Sequence, residues 1–216
     1  MGERERAPRG RHAPPLEVRQ DRQRRRLFGA AAAIFARVGY ADATAEAIAR
    51  EAGMSKATFY EHFDNKEDCI LALFDAASEA VLGAMRAATR SHPDDPVARY
   101  RAAIAAFLHA LAAFPDQAQT LLVEIIGAGP RAMERRDIVL AAFADYIEST
   151  NRADVAGGEF PRLASPEDAF AIVGAVVELA SRRLRTGRPP HLLELEPVVE
   201  RLVTGLLVAA SPRSAA

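Results

Sequence analysis

The chain has 216 residues, half of them apolar and 26% charged, and its formal net charge is −1. This composition is typical of a globular helical protein and excludes a wholly disordered chain. A single cysteine, Cys69, excludes an intramolecular disulfide and a multi-cysteine metal site. No apolar run approaches the roughly 18 residues of a membrane span. We therefore expect a cytoplasmic protein with no membrane partner.

The charge is distributed unevenly. Residues 1–66 contain 13 Lys+Arg and 9 Asp+Glu, a net +4, whereas residues 67–216 contain 15 and 20, a net −5. A basic N-terminal part fits a phosphate-binding surface, although abundant arginine explains the charge equally well. Residues 1–21 lack periodicity and contain scattered Pro, Gly and Arg. They are predicted to form a disordered basic arm, either a solvated tail or an arm that follows the backbone or the minor groove of DNA.

The first predicted helix covers about residues 22–38. Its apolar residues recur at helical spacing, which excludes a signal peptide after the run Arg24-Arg25-Arg26. These residues are Leu27, Phe28, Ala31, Ile34, Phe35 and Val38. Gly39, a usual residue after a helix C-terminus, ends the helix.

Residues 43–62 show a helix-turn-helix pattern. Thr44 can cap one helix and Ser55 can cap the next, SKATFYEH, because their hydroxyls accept from free backbone N–H groups. Gly53 supplies the turn, where a positive φ is unstrained only without a Cβ. The expected apolar wedge between the helices is Ile48, Ala49, Ala52, Met54 and Phe59. The second helix of such a unit can enter a DNA major groove.

The remaining chain is predicted to be helical, which gives an all-α fold of about nine helices. Helix 4 begins near Asn65, where Asp64 and Glu67 resemble a capping box, and ends near residue 91. Ser165 and Pro166 mark the start of helix 8. Helices 5 to 9 are predicted at about 97–114, 115–127, 131–154, 166–186 and 192–209.

The stretch TAEAIAREAGMSKATFYEHFDNKEDCIL, Thr44–Leu71, resembles the DNA-binding signature of TetR-family transcriptional regulators. With the helix before it, the resemblance covers about residues 22–85. It implies a helix-turn-helix DNA-binding domain at 22–68 and a ligand-binding and dimerisation domain at 69–216. It also implies a homodimer in which each subunit binds one operator half-site. A small-molecule effector would move helix 4 and so change the spacing of the recognition helices.

The DNA contacts are predicted from this pattern. Lys56 can reach guanine or a phosphate, and Ala57 and Thr58 allow close approach. Tyr60 and His62 match backbone contacts of the family, although Tyr60 could be a packed aromatic. The full predicted set is Tyr40, Thr44, Ser55, Lys56, Ala57, Thr58, Tyr60, His62 and Lys66, with Thr44 and Lys66 binding phosphates at its edges. Phe59 and Phe63 are expected in the core.

The C-terminal helices are predicted to enclose a largely apolar ligand site. Its predicted residues are Phe107, Leu111, Leu122, Glu124, Ile126, Phe143, Ile147 and Val173, and Phe170 is also expected inside; each apolar one could equally be plain core. Glu124 lies in the apolar stretch LLVEII, where a carboxylate needs a partner. It is either a ligand handle or a partner of Arg131 or Arg135.

Helices 8 and 9 have apolar faces that are predicted to pair with a second copy in a four-helix interface. The residues are Ala169, Ile172, Val173, Val176, Val177, Ala180 and Leu184, then Leu195, Val198, Val199, Leu202, Leu206 and Leu207. A purely intrachain core is the alternative.

The sequence contains no nucleophile–base spacing, metal-ligand cluster or glycine-rich phosphate loop, so no catalytic residue, metal or cofactor is expected. Cys69 is expected to pack inside a helix rather than to sense redox state. The predicted function is a transcriptional repressor that binds a palindromic double-stranded DNA operator as a homodimer and is released by a small, largely apolar ligand. An activator, or a scaffold for a protein partner without such a ligand, is the alternative.

Overall fold

The computed structural model describes residues 16–92, 94–157 and 161–210, so most of the predicted N-terminal arm lies outside the described residues. Within these ranges the chain forms nine α-helices and no strand, which confirms the all-α fold. They are α1 (Leu16–Asp42), α2 (Ala45–Glu51), α3 (Lys56–Tyr60), α4 (Lys66–Thr89), α5 (Pro96–Ala113), α6 (Pro115–Leu122), α7 (Pro130–Ala156), α8 (Pro166–Thr186) and α9 (Glu196–Ala210). Short 3-10 turns, Glu124–Gly127 and Leu192–Leu195, precede α7 and α9.

Helix α1 begins at Leu16, six residues before its predicted start. Residues 16–21, LEVRQD, contain no Gly or Pro and are therefore helical rather than part of a disordered arm. The helix is interrupted at Gly39, whose φ of 80° is outside the helical range. Leu27 and Phe35 of α1 are fully buried with Phe59 of α3, and they form the core of the N-terminal unit.

Helix α4 connects this unit to the rest of the molecule. Its 24 residues span about 36 Å. Asn65, not Asp64, caps it, because the Asn65 backbone is extended and its side chain accepts from the Asp68 N–H at 2.9 Å. Ion pairs join α7 to α4: Arg131 pairs with Glu67 and Asp68, and Arg135 pairs with Asp75.

The single helix predicted for residues 115–127 is broken. Helix α6 ends at Leu122 because Val123 leaves the helical range with φ −122° and ψ −59°. The Ser181 hydroxyl donates to the Leu122 carbonyl at 2.8 Å, which satisfies an acceptor freed by the break. In the described part of the chain no single helix is long and apolar enough to span a membrane. Helices α5 and α6 meet those criteria of length and composition only together, as a pair bent by 108°.

Helix α8 starts at Pro166, as predicted, and Asp168 accepts from the Ser165 N–H at 3.1 Å. Most residues of α8 that were predicted to face a second copy are buried within the chain. They belong to the intrachain core, which was the alternative prediction: Ala169, Ile172, Val173, Val177 and Ala180. Phe170, expected inside, is 48% exposed because it lies on the opposite face of α8. The Leu207 side chain is outside the described residues.

Candidate nucleic-acid interface and ligand cavity

Local hydrogen bonds fix the helix-turn-helix. The Thr44 hydroxyl accepts from the Ala47 N–H at 3.1 Å, and the Ser55 hydroxyl accepts from the Thr58 N–H at 3.1 Å. Gly53 has φ +63°, so the turn requires a residue without a Cβ. Both predicted caps and the predicted turn are therefore present.

Helix α3 presents its polar side to solvent. Lys56, Ala57 and Tyr60 are exposed, and Thr58 and His62 are half-buried. On the opposite side Phe59 is fully buried and Phe63 is 5% exposed, as expected. Tyr60 is 47% exposed, and its ring makes an edge-to-face contact with Phe59, with ring centroids 5.5 Å apart.

Lys66 has a structural role that the sequence did not indicate. Its ammonium donates to the carbonyls of Tyr40, Ala41 and Ala43 at 2.9, 2.8 and 3.0 Å, and lies 4.6 Å from the Tyr40 ring centroid. An ammonium has three hydrogens, and all three are used within the chain. The expected phosphate contact of Lys66 would have to displace these bonds. Lys66 is thus better described as the residue that holds the connection between α1 and α2.

Tyr40 is also held by the protein. Its ring packs on Phe35 with centroids 5.8 Å apart. Burial, followed by the charges of Glu67 and Asp68, raises the pKa of the Tyr40 hydroxyl, which therefore stays protonated and can donate a hydrogen bond.

Three arginines of α1 bind residues in or next to the helix-turn-helix: Arg24, Arg26 and Arg37. Arg26 donates to the Ala52 carbonyl at 2.7 Å, beside the turn, and Arg37 pairs with Glu51. Arg24 lies over the Phe28 and Phe63 rings at 5.3 and 5.4 Å. Except for the Arg24–Phe28 contact within α1, these contacts join residues that are distant in the sequence, so sequence reasoning missed them.

Six helices, α4 to α9, enclose a cavity of about 90 Å³. Five of the eight predicted pocket residues line it: Phe107, Leu122, Phe143, Ile147 and Val173. Leu111 is buried but does not line the cavity, and Ile126 is 48% exposed on the 3-10 turn. The structure adds one wall from α4, which the sequence did not predict, made of Phe74, Ser78, Met85 and Thr89.

Glu124 joins the 3-10 turn before α7 to the C-terminal end of α1. Its Oε2 accepts from the Tyr40 backbone N–H at 2.9 Å, and its Oε1 accepts from the Gln119 amide at 3.0 Å. The interruption of α1 at Gly39 removes the helical acceptor of the Tyr40 N–H, and Glu124 replaces it. Glu124 therefore does not line the cavity, and it pairs with neither Arg131 nor Arg135.

Cys69 is fully buried in α4. Burial raises the pKa of its thiol to about 12, so the reactive thiolate is scarce at neutral pH. This environment fits a packing residue. Within the described ranges no group of three or more His, Cys, Asp or Glu side chains is arranged to hold a metal ion.

Comparison with known proteins agrees with the resemblance that the sequence of the helix-turn-helix indicates. Residues 27–73 match the family described as bacterial regulatory proteins, tetR family. The HTH-type transcriptional activator FasR of Mycolicibacterium smegmatis is 33% identical over 103 residues, which are 48% of this chain and 47% of that protein. The match thus spans about half the length of this curated relative.

Two solved structures share the fold of almost the whole chain. The fatty acid degradation regulator FadR from Bacillus halodurans has a TM-score of 0.76 at 20% identity, covering 92% of this chain and 97% of that one. FadR from Bacillus subtilis, in complex with stearoyl-CoA, has a TM-score of 0.75 at 19% identity, covering 84% and 98%. The match makes residues 27–73 a tetR-family domain, and the chain as a whole has the fold of these solved regulators.

Proposed function

We propose that this protein is a regulator, not an enzyme, that binds operator DNA as a homodimer, and that a long-chain acyl ligand in the cavity controls this binding. The observation that carries the proposal is a continuous series of contacts between the cavity wall and the DNA-binding unit.

The exposed side of α3 is the proposed DNA-reading surface. Lys56, Ala57 and Tyr60 point away from the core and can approach base edges and phosphates. Thr44, Ser55, Thr58 and His62 flank them on the same unit. Two such helices in a dimer would occupy successive major grooves, about 34–36 Å apart.

A long acyl chain is the proposed ligand. The α4 residues that line the cavity run from Phe74 to Thr89, a distance of about 22 Å along the helix. Most of the lining is apolar, as an acyl chain requires. The similar fold of a FadR protein solved with stearoyl-CoA supports this ligand class.

The size of the cavity suggests how a ligand acts. Ligand sites usually enclose about 300–1,000 Å³, whereas this cavity has about 90 Å³. A long acyl chain must therefore push the cavity walls apart. Close-packed walls shift as units rather than deform smoothly.

The shifted wall is connected to the DNA-binding unit. Leu121 and Leu122 line the cavity at the end of α6, and Glu124 follows two residues later. Glu124 holds the Tyr40 N–H, and Lys66 holds the carbonyls of the same connection. Movement of α6 would thus displace the segment that leads into α2.

The proposed dimer interface uses the outward faces of α8 and α9. The residues buried inside the chain cannot form it, but Phe170 of α8 and Val198 of α9 are 48% and 38% exposed. Phe170→Glu is expected to convert a dimer into a monomer in sedimentation or light-scattering measurements. A monomeric wild-type protein would contradict this part of the proposal.

We propose repression relieved by the ligand as the sign of regulation. Activation is a second candidate, because the relative FasR is named a transcriptional activator. The scaffold alternative gains no support from a structure in which six helices enclose a cavity.

Selection of bound DNA from random duplexes, followed by mobility-shift titrations with stearoyl-CoA, tests the function. We expect a near-palindromic site whose complex dissociates when stearoyl-CoA is added. A ligand-dependent gain in transcription from that site in vitro, with DNA still bound, would favour the activator. Failure to enrich any duplex would contradict the DNA-binding proposal itself.

A further inference from the structure

We infer that Ser78 and Arg136 form an anion-recognition point at the end of the cavity that lies nearer the DNA-binding unit. This inference rests on the proposed function and specifies its ligand: a long alkyl chain that carries an anionic headgroup. The headgroup is either a free carboxylate or the phosphate-bearing CoA of an acyl thioester.

Ser78 is a buried hydroxyl without a partner. It is 5% exposed, it lines the cavity, and its Oγ makes no hydrogen bond to the part of the chain that the structure describes. A buried hydroxyl left unpaired destabilises the fold unless something else satisfies it. In the midst of an apolar lining, a ligand oxygen is the natural acceptor.

Arg136 supplies the charge. It lines the same cavity from α7, is half-buried, and makes no hydrogen bond or ion pair within the described residues. The neighbouring Arg135–Asp75 bridge, at 2.6 and 2.8 Å, joins α7 to α4 here. Ser78 follows Asp75 by three residues and Arg136 follows Arg135 by one, so both lie within about one helical turn of the bridge.

The other end of the cavity is unsuitable for an anion. Its arginine, Arg99, is paired with the buried carboxylate of Asp154. The second oxygen of Asp154 has no hydrogen-bond donor among the described residues, so it would repel an anionic headgroup. At this end the Thr89 and Tyr146 hydroxyls share a hydrogen bond of 3.2 Å. Of the two arginines in the lining, Arg136 is therefore the one that can meet an anion.

The geometry also gives the minimum length of an alkyl chain that fills the cavity. Ser78 and Thr89 are eleven residues apart on α4, about 16 Å. A fully extended chain advances about 1.2 Å per bond, from the extended length of a polypeptide residue. An alkyl chain of roughly 14 carbons would therefore reach from Ser78 to the Thr89 end.

Competition binding of myristate, myristoyl-CoA and 1-tetradecanol to the full chain tests this inference. Arg136→Gln should weaken binding of the anionic ligands about tenfold or more, because a charge-assisted hydrogen bond is lost. The affinity for neutral tetradecanol should stay within about twofold of that of the wild type, which also shows that the variant is folded. Ser78→Ala should weaken the anionic ligands several-fold, in the same direction. Arg152→Gln, an exposed arginine of the same helix, is the matched control and should change nothing.

The ligand comparison identifies the headgroup. Binding of myristate by the wild type would assign the free carboxylate, and binding of myristoyl-CoA alone would assign the CoA thioester; Arg136 dependence supports the inference in both cases. If the wild type binds these anions but both variants bind them equally well, the inference is wrong while the acyl-ligand proposal stands. If the wild type binds none of the three probes, the acyl-ligand proposal itself fails.

Discussion

The interior of the N-terminal unit, α1 to α3, is packed differently from that of the region around the cavity, α4 to α9. In the first, caps at Thr44 and Ser55 satisfy backbone groups three residues away, and Phe59 is fully buried in a dense core. In the second, the Ser78 hydroxyl remains unpaired among the described residues beside a cavity of about 90 Å³. A surface that reads base edges needs side chains in fixed positions, whereas a bulky ligand needs walls that can yield. The difference teaches that rigidity and adaptability are located in separate parts of one chain.

The largest expected effect comes from removing one phenylalanine from each region. Phe59→Ala should lower the free energy of unfolding by about 3–5 kcal/mol, because it opens a cavity in a packed core. Phe143→Ala should lower it by only about 2 kcal/mol, because Phe143 already faces empty space and has fewer contacts to lose. Urea unfolding of both variants measures the difference. Equal losses would mean that the two interiors are packed alike.

Lys56 and Lys66 are expected to contribute differently to the stability of the N-terminal unit. Lys66→Met should reduce the free energy of unfolding by about 2–3 kcal/mol, because three carbonyls lose a charged donor. Lys56→Met should stay within about 0.5 kcal/mol of the wild type, because Lys56 is exposed. Thermal or urea unfolding distinguishes them.

The same pair should behave differently on DNA. Lys56→Met should lower operator affinity and reduce the slope of log K against log salt concentration by about 1.8, because each of the two subunits loses one phosphate contact worth about 0.9. Lys66→Met should leave that slope unchanged if its ammonium holds the chain. A reduced slope in Lys66→Met would restore the direct phosphate contact predicted from the sequence.

The last expected effect concerns Cys69 and is absent at neutral pH. Its folded-state pKa is raised to about 12 from an ordinary value of 9.0, so the folded state holds the proton longer than the unfolded state. The contribution of the protonated thiol to the free energy of unfolding is therefore fully present below about pH 9 and is lost as the pH rises towards 12. The free energy of unfolding should fall by at most about 1.4 kcal/mol per pH unit in that range. Cys69→Val should remove this part of the slope; an unchanged slope would mean that the thiol is not desolvated.

The sequence predicted the parts of the molecule that depend on near neighbours. The caps at Thr44 and Ser55 join residues three apart, and the Gly53 turn follows from its missing side chain. The burial of Phe59 and Phe63 follows from helical periodicity. Local rules decide these features, so they can be read from one chain.

Contacts between distant residues could not be predicted in this way. Glu124 binds Tyr40 across 84 positions, and Lys66 binds carbonyls more than 20 residues away. Ile126 was expected in the pocket because its stretch is apolar, but the break after α6 turns it to solvent. Which apolar residues line a cavity depends on how six helices meet, and periodicity alone does not determine that.

The connection through Glu124 is tested most directly by measuring operator affinity with and without saturating stearoyl-CoA, in the wild type and in Glu124→Ala. The account predicts that the ligand weakens wild-type operator binding at least tenfold. In Glu124→Ala it should change binding less than about threefold, with ligand affinity in the absence of DNA retained. An equal ligand effect in both proteins would show that the signal does not pass through the Glu124–Tyr40 contact.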